Sequence, residues 1–209
     1  MSLEGWTVEP IERSTAQDIV VANHYLHRKA PCSVAFGLFD PSGKLMGVVM
    51  YGTPSSSALR AGVAGPDEAN NVVELTRLWV DDAVPKNGES YLIGNSVKHA
   101  GKDIVVSFAD TSENHVGVVY QATNWLYTGL SAKRTDWHVE GHDKHGHTWA
   151  DKYTAQEMRE LFGDKFSLKP RSRKHRYIWL NGTKSRKKQL LAKLRYSIQP
   201  YPKADAVEV

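Results

Sequence analysis

The 209-residue chain contains one cysteine, Cys32, so it can form no internal disulfide, and a single copy cannot build a zinc site from thiolates. Next to Pro31, that lone cysteine is most simply a small core side chain. Long hydrophobic runs are missing as well, since no segment approaches the roughly 20 apolar residues of a membrane span. The opening Met-Ser-Leu-Glu-Gly-Trp has neither the basic nor the apolar region of a secretory signal. These absences predict a soluble, cytoplasmic protein without membrane contact. Internal repeats are absent too, and no Ser, His and Asp fall in the order or setting of a hydrolase triad.

Negative charge is missing from one region only. Residues 165–203 contain no Asp or Glu but thirteen Lys and Arg. The whole chain has 27 Lys and Arg against 23 Asp and Glu, a net charge of +4, so the remainder is acidic at −9. Aromatics interleave with the basic run, in Arg171-Ser-Arg-Lys-His-Arg-Tyr-Ile-Trp and again at Arg195-Tyr196. Cations for phosphates beside rings for bases are the pattern of a nucleic-acid surface, with a solvated tail as the plainer alternative. A hydrophobic fraction of 41% and a charged fraction of 24% are those of a globular domain.

Along the chain, residues 5–12 alternate enough for a short edge strand, and a helix follows Ser14 as far as His24. Residues 31–40 and 44–52 form a hairpin across Asp40-Pro-Ser-Gly43. Residues 54–71, rich in Ser, Ala and Gly, have no period and predict a long surface loop. Residues 72–80 are a strand whose alternation puts Glu74, Thr76 and Leu78 on one face and Leu75, Arg77 and Trp79 on the other. Glu74 and Arg77 can therefore serve one pocket only if a bulge intervenes.

A helix over 89–99, a buried strand over 103–110 and a helix over 115–125 complete a βαβα core of an α/β sheet. The loop before the first of these helices is poor in glycine and carries Glu89, which makes it a weak phosphate cradle. Beyond residue 130 the pattern fades into a hairpin or insertion over 138–147, a short helix over 153–162 and a final strand over 176–180. His138, His142, His145 and His147 have the density of metal ligands, but an exposed polar loop is the simpler reading, and no metal site is assigned. Residues 1–180 are expected to form the catalytic domain and 181–209 a basic tail, with 184–195 becoming helical only on nucleic acid.

Asn114-x-x-Gly-x-x-Tyr120 running into Asn124-Trp125, with this order of elements, resembles the Gcn5-related N-acetyltransferase superfamily, where a comparable segment lies on the helix after a splayed strand. Four further pieces resemble the Mom family of phage DNA-modification proteins. They are Ala22-Asn-His-Tyr-Leu-His-Arg-Lys-Ala-Pro31, Glu74-Leu-Thr-Arg-Leu-Trp-Val-Asp-Asp82, Tyr120-Gln-Ala-Thr-Asn-Trp-Leu-Tyr-Thr-Gly129 and Arg173-Lys-His-Arg-Tyr-Ile-Trp179. The resemblance implies a mixed central sheet flanked by helices, with a basic C-terminal extension. It also implies an enzyme that converts adenine in double-stranded DNA to N6-carbamoylmethyladenine and so protects phage DNA from restriction.

Several side chains then become candidates. Tyr120 matches the superfamily position whose phenol protonates a departing thiolate, with amphipathic packing as its alternative role. Asp110 ends a strand where α/β sheets place their sites, although it could equally cap the next helix. Glu74 is the preferred base, and Arg77 a group that could hold a phosphate, with a structural ion pair as the alternative role of either. The resemblance adds His24 and Tyr25 to the catalytic set, and Arg28 to the substrate-binding one. Asn124 is expected to share the pocket-facing side of Tyr120, while His115 is offset from both. Trp125 or Tyr127 would stack on the extruded base, and Arg171, Arg173, Lys174, Arg176 and Tyr177 would hold the nucleic-acid backbone.

The implied product poses a chemical problem, because transfer of acetyl from coenzyme A would give an amide, whereas this product carries an alkyl carbon on nitrogen. Glycyl transfer followed by rearrangement resolves it, and a glycyl-tRNA donor would add tRNA as a partner. Acetyl-CoA remains the other donor. An acetyltransferase acting on a small amine and a noncatalytic DNA-binding protein are the alternative functions.

Overall fold

The computed structural model describes residues 2–142 and 149–203. Thr7–Ile11 (β1) is an edge strand antiparallel to Val34–Phe39 (β2), and Arg13–Asn23 (α1) crosses between them. Ala16 and Val20, four residues apart on α1, are fully buried against Ala35, Val48 and Met50 of the sheet. Leu45–Gly52 (β3) closes the expected hairpin with β2, and Asp40 fastens the turn by accepting from the Ser42 and Lys44 amides at 2.9 Å.

The stretch expected to be a loop is helical. Ser57–Ala64 (α2) starts where the Ser56 hydroxyl accepts from the Leu59 amide, and a 3-10 turn, Pro66–Asn71, follows it. Small residues mask the helical period there, yet Val63 and Ala64 are buried beside Val72, Ile104 and Leu190. Tertiary burial overrides a weak local signal.

Val72–Val80 (β4), Gly88–Ser96 (α3) and Ile104–Asp110 (β5) form the expected βαβ unit, with β4 parallel to β5. Val118–Ala122 (α4) is far shorter than the helix expected over 115–125. Gly117 before it has φ +76° and Asn124 after it has φ +60°, and a right-handed helix cannot pass through either residue. Leu126–Leu130 (β6) follows; its period is too short and too interrupted to read from sequence. Thr135–Val139 (β7) pairs with Phe166–Pro170 (β8) around Ala155–Phe162 (α5), a small lobe closed over Val139, Met158 and Phe166. Lys174–Leu180 (β9) returns to the main sheet and Lys184–Lys193 (α6) ends the regular structure.

The seven strands lie in the order β1, β2, β3, β4, β5, β9, β6, and every neighbouring pair except β4 and β5 is antiparallel. Helices cover both faces: α3 and α4 border the largest core, while α1, α2 and α6 cover the other side. This is the mixed α/β sheet flanked by helices that was expected.

The basic C-terminal segment is part of this body. Leu190 of α6 is fully buried, and the Arg186 guanidinium binds Glu68 at 2.6 Å and Asp103 at 2.8 Å. Lys193 reaches the same Glu68 at 2.5 Å. Beyond α6, the Gln199 amide donates to the Tyr127 carbonyl and the Tyr201 hydroxyl to the Trp125 carbonyl. The expectation that 184–195 folds only on nucleic acid therefore fails: the acidic partners lie far back in the chain, where a local charge count cannot find them. Among the described residues, no helix is long and apolar enough to cross a membrane.

Candidate active site

β4 and β5 are paired only from Val72 to Glu74 and from Ile104 to Val106. Beyond Glu74 they part, β4 running on to Val80 and β5 to Asp110, and a cleft of about 1460 Å³ opens between them. The splayed strand implied by the superfamily resemblance is thus present, and it ends its pairing at the carboxylate chosen as base.

The bulge that Glu74 and Arg77 require is also present. Met50 pairs with Arg77 and Tyr51 with Leu75, so Thr76 has no partner of its own on β3. Leu75 and Leu78 both pack into the largest core as a result, and Glu74 and Arg77 both line the cleft. The Thr76 hydroxyl stands within hydrogen-bond reach of the Pro31 carbonyl at 3.0 Å and the Met50 carbonyl at 3.2 Å. It thereby ties the segment after His24 and Tyr25 to the bulge.

Charge in the cleft is set by burial. Burial raises the Glu74 carboxyl above its ordinary value of 4.5, against the opposing pull of Lys174 and Arg77. Arg77 donates from Nη1 to the Thr76 carbonyl at 2.6 Å, while its buried Nε has no hydrogen-bond partner among the described residues. As a residue lining the cleft, Arg77 brings a positive charge suited to a carbonyl or anionic oxygen of a ligand.

His24 ends α1 and is 8% exposed. Burial first, then the charges of Arg77 and His27, lower its pKa to about 4. Its Nδ1 accepts from the Leu26 amide at 3.1 Å, so the neutral ring carries its proton on Nε2. Tyr25 stacks on His24 with ring centroids 4.4 Å apart and remains 55% exposed. Burial, Asp110 and Glu113 raise its phenol.

Tyr120 enters from the opposite face of the sheet. The Ser107 hydroxyl donates to its phenolic oxygen at 2.8 Å, and burial pushes the phenol up to about 12, so it stays protonated at neutral pH. Ser107 was missed by sequence reasoning, although it is the only hydroxyl in the apolar run of β5. Asp110 lies at the rim in both of its anticipated settings. It caps the following 3-10 turn by accepting from the Ser112 amide, and it pairs with Lys174 at 3.1 Å. Burial raises its carboxyl, but hydrogen bonds from Ser172, Ser112 and Lys174 outweigh that effect and hold it well below the ordinary range.

Other expected members are elsewhere. Trp125 is fully buried between Tyr120 and Trp179, and Tyr177 is fully buried with its hydroxyl on the Val116 carbonyl. Neither ring can reach a base or a backbone. Tyr127 is 6% exposed, bonded to His175, and lines a smaller neighbouring pocket. Asn124 lies beyond the end of α4 and does not line the cleft, whereas His115, which helical spacing set apart from Tyr120, does. The local breaks at Gly117 and Asn124 reverse that helix argument. Arg28, Arg171, Lys174 and Arg176 border the cleft, with Arg134, which sequence reasoning passed over. Arg173 lines the smaller pocket.

The described residues contain no group of three or more acidic, His or Cys side chains placed to hold a metal. His138 lies on β7, and His142 packs edge-on against Trp149 and Phe162. His145 and His147 lie outside the described residues.

A coenzyme A pyrophosphate fits poorly at the start of α3. The Gly88 amide is already bonded to the Pro85 carbonyl, and a Cβ on Gly88 would meet Val84 at 2.5 Å. Asp81, Asp82 and the first-turn Glu89 outnumber Lys86 there, so the start of the helix is net negative and disfavours a diphosphate.

Among solved structures, the chain is similar to acetyltransferases. Arabidopsis thaliana NAA60, solved with a bisubstrate analogue, is 13% identical with a TM-score of 0.49, over 85% of this chain and 98% of that one. The spermidine/spermine N-acetyltransferase SpeG of Vibrio cholerae is 10% identical with a TM-score of 0.46, over 84% and 92%. In sequence, the methylcarbamoylase Mom of Escherichia phage Mu is 32% identical over 206 residues, covering 94% of this chain and 83% of its own length. A model of the Mom protein family matches residues 5–203. A match running from the first strand to the end of the C-terminal strap takes in every element that builds the cleft, and the chain belongs to the Mom protein family.

Proposed function

We propose that this transferase modifies adenine in DNA, installing the carbamoylmethyl group on N6 by glycyl transfer and rearrangement. The observation that carries the reading is the cleft at the splay, where Glu74 and Arg77 from one face meet Tyr120 from the other beneath a cationic rim. Membership of the Mom family, and the name methylcarbamoylase given to the phage Mu relative, support DNA modification.

The base must leave the duplex stack to reach such a cleft. Tyr25, exposed and backed by the His24 ring, takes the stacking role that burial denies to Trp125. Glu74 accepts a proton from N6 as that nitrogen attacks the carbonyl carbon of a glycyl ester, the ester being that of a charged tRNA. The N–C bond forms, the C–O bond breaks, and the Tyr120 phenol protonates the departing hydroxyl before recovering its proton from Glu74. Arg77 and the Nε2 proton of His24 stabilise the oxyanion.

The glycyl amine then attacks C6 and closes a five-membered ring of C6, N6, the carbonyl carbon, the methylene carbon and the amine nitrogen. Breaking C6–N6, with transfer of the amine proton to the departing nitrogen, leaves C6-NH-CH2-C(O)NH2. No step uses coenzyme A, in keeping with the acidic start of α3.

Nucleoside mass spectrometry of DNA from cells expressing the chain tests the function, with Glu74→Gln and Tyr120→Phe as comparisons. An unmodified adenine pool at good expression of folded wild-type protein rejects it. Nitrogen-15 placed at adenine N6 tests the route: the label is expected in the terminal amide, and label still bonded to C6 rejects the rearrangement.

A further inference from the structure

A second cavity of about 430 Å³ opens beside the cleft and shares Leu130, Arg176 and Tyr196 with it. Three guanidinium groups line it, those of Arg173, Arg176 and Arg195, and no carboxylate does. Among the described residues none of the three takes part in an ion pair, although Lys174, Arg171 and Arg186 nearby in sequence all do.

Arg176 is the least usual of them, being 8% exposed. Its Nε donates to the Thr128 hydroxyl at 2.9 Å, its Nη2 to the Thr128 carbonyl at 2.8 Å, and its Cζ lies 3.3 Å from the centre of the Tyr196 ring. These contacts fix the plane of the guanidinium and leave Nη1 without a hydrogen bond among the described residues. A cation buried without a counter-ion costs stability unless a ligand supplies the charge. Arg173 is held by its Nε on the Ser131 carbonyl at 2.7 Å, and Arg195 by its amide on the Val63 carbonyl. The guanidinium groups of Arg173 and Arg176 are thus fixed by side-chain hydrogen bonds, and the main chain of Arg195 is pinned beside them, before any ligand arrives.

We propose that this pocket holds one phosphodiester of the DNA strand that delivers the adenine, a site distinct from the diffuse basic rim. The proposal rests on the reading of the chain as a DNA-modifying enzyme. A tetrahedral oxyanion suits three converging guanidiniums, and a polar pocket opening onto the cleft at Arg176 and Tyr196 places that phosphate next to the extruded nucleotide. The phosphate fixes the register of the strand, so that one base and not its neighbour faces Glu74.

Methylphosphonate scanning tests this on the intact protein. A short duplex with one adenine is made in versions that each carry a single neutral linkage, and the affinity of each is measured against salt. The wild type is expected to lose about tenfold at one linkage near the adenine. Arg195→Gln, and separately Arg173→Gln, are expected to weaken binding of unmodified DNA about as much and to lower the salt slope by about 0.9. They should show no further loss at the sensitive linkage. Both side chains stand apart from the buried Thr128 contacts, so these variants keep the fold, which circular dichroism checks.

A penalty at that linkage that persists in both variants, or an unchanged slope, overturns the pocket while leaving the DNA reading in place. Failure of the wild type to bind DNA, with tRNA bound instead through these arginines, overturns the DNA reading itself.

Discussion

Glu74 and Arg77 stand three residues apart on one strand yet face the same cleft, because Thr76 is bulged out of the ladder with β3. Regular alternation would send one of them into the core. A short irregularity thus creates the pairing of base and guanidinium on which the proposed chemistry depends.

Glu74→Gln is expected to reduce the modification rate by about 10² to 10⁴. The wild-type rate should fall as pH drops through the raised Glu74 value above 4.5, and the variant should lack that limb. Because the folded value is raised, the protonated carboxyl adds stability below 4.5 that is lost as it ionises with rising pH, so the variant should melt higher than wild type at neutral pH. A pH–rate profile and thermal melts check both halves.

Thr76→Val removes a hydroxyl that reaches the Pro31 and Met50 carbonyls. A loss of about 1 kcal/mol in a urea titration is expected, together with a larger loss of activity than of DNA affinity. Equal losses of activity and affinity would argue that the bulge merely supports the fold.

Tyr25→Ala should weaken DNA binding by about 1 to 3 kcal/mol, and Tyr25→Trp should restore it. Trp125→Phe should leave DNA affinity unchanged and lower the melting temperature, since that ring is fully buried. Fluorescence anisotropy with a labelled duplex separates the two positions.

His24 should remain neutral down to about pH 4, with its proton on Nε2. An unfolded histidine takes up its proton near 6.5, so the unfolded state binds more protons between 6.5 and 4, and stability falls as pH is lowered through that window. Nitrogen-15 correlation spectra report both the tautomer and the titration. His24→Gln, which cannot charge, should flatten that part of the stability profile.

Leu190→Ala should destabilise the whole protein by about 2 to 5 kcal/mol in a single transition, because α6 belongs to the core. Circular dichroism should show α6 helical without DNA. Glu68→Gln should lower the melting temperature as well, by leaving Arg186 and Lys193 without their shared carboxylate. That carboxylate lies well below its ordinary value through Arg186, Lys193 and Asn71, so its contribution is present above 4.5 and fades as pH falls below.

Local order fixed much of this protein in advance. Strict turn chemistry at residues 40–43 dictated the β2–β3 hairpin, and the continuous apolar run dictated β5. The segments around His24, Glu74, Tyr120 and Arg173 carried the family, and they also supplied much of the cleft. A backbone that must satisfy its own hydrogen bonds turns such patterns into elements wherever they occur.

Exposure and convergence were decided by the tertiary structure alone. Trp125, Tyr127 and Tyr177 looked like nucleic-acid contacts by composition, yet the sheet and the C-terminal strap enclose them. Tyr25 was a catalytic candidate, and the structure leaves its ring 55% exposed on the cleft. The basic segment had the pattern of a nucleic-acid surface and is neutralised in part by Glu68 and Asp103, more than eighty residues away. Sequence sets which groups are available and how each short stretch folds. Which groups meet, and which lose their water, depends on long-range packing, because burial and charge pairing are properties of neighbours in space.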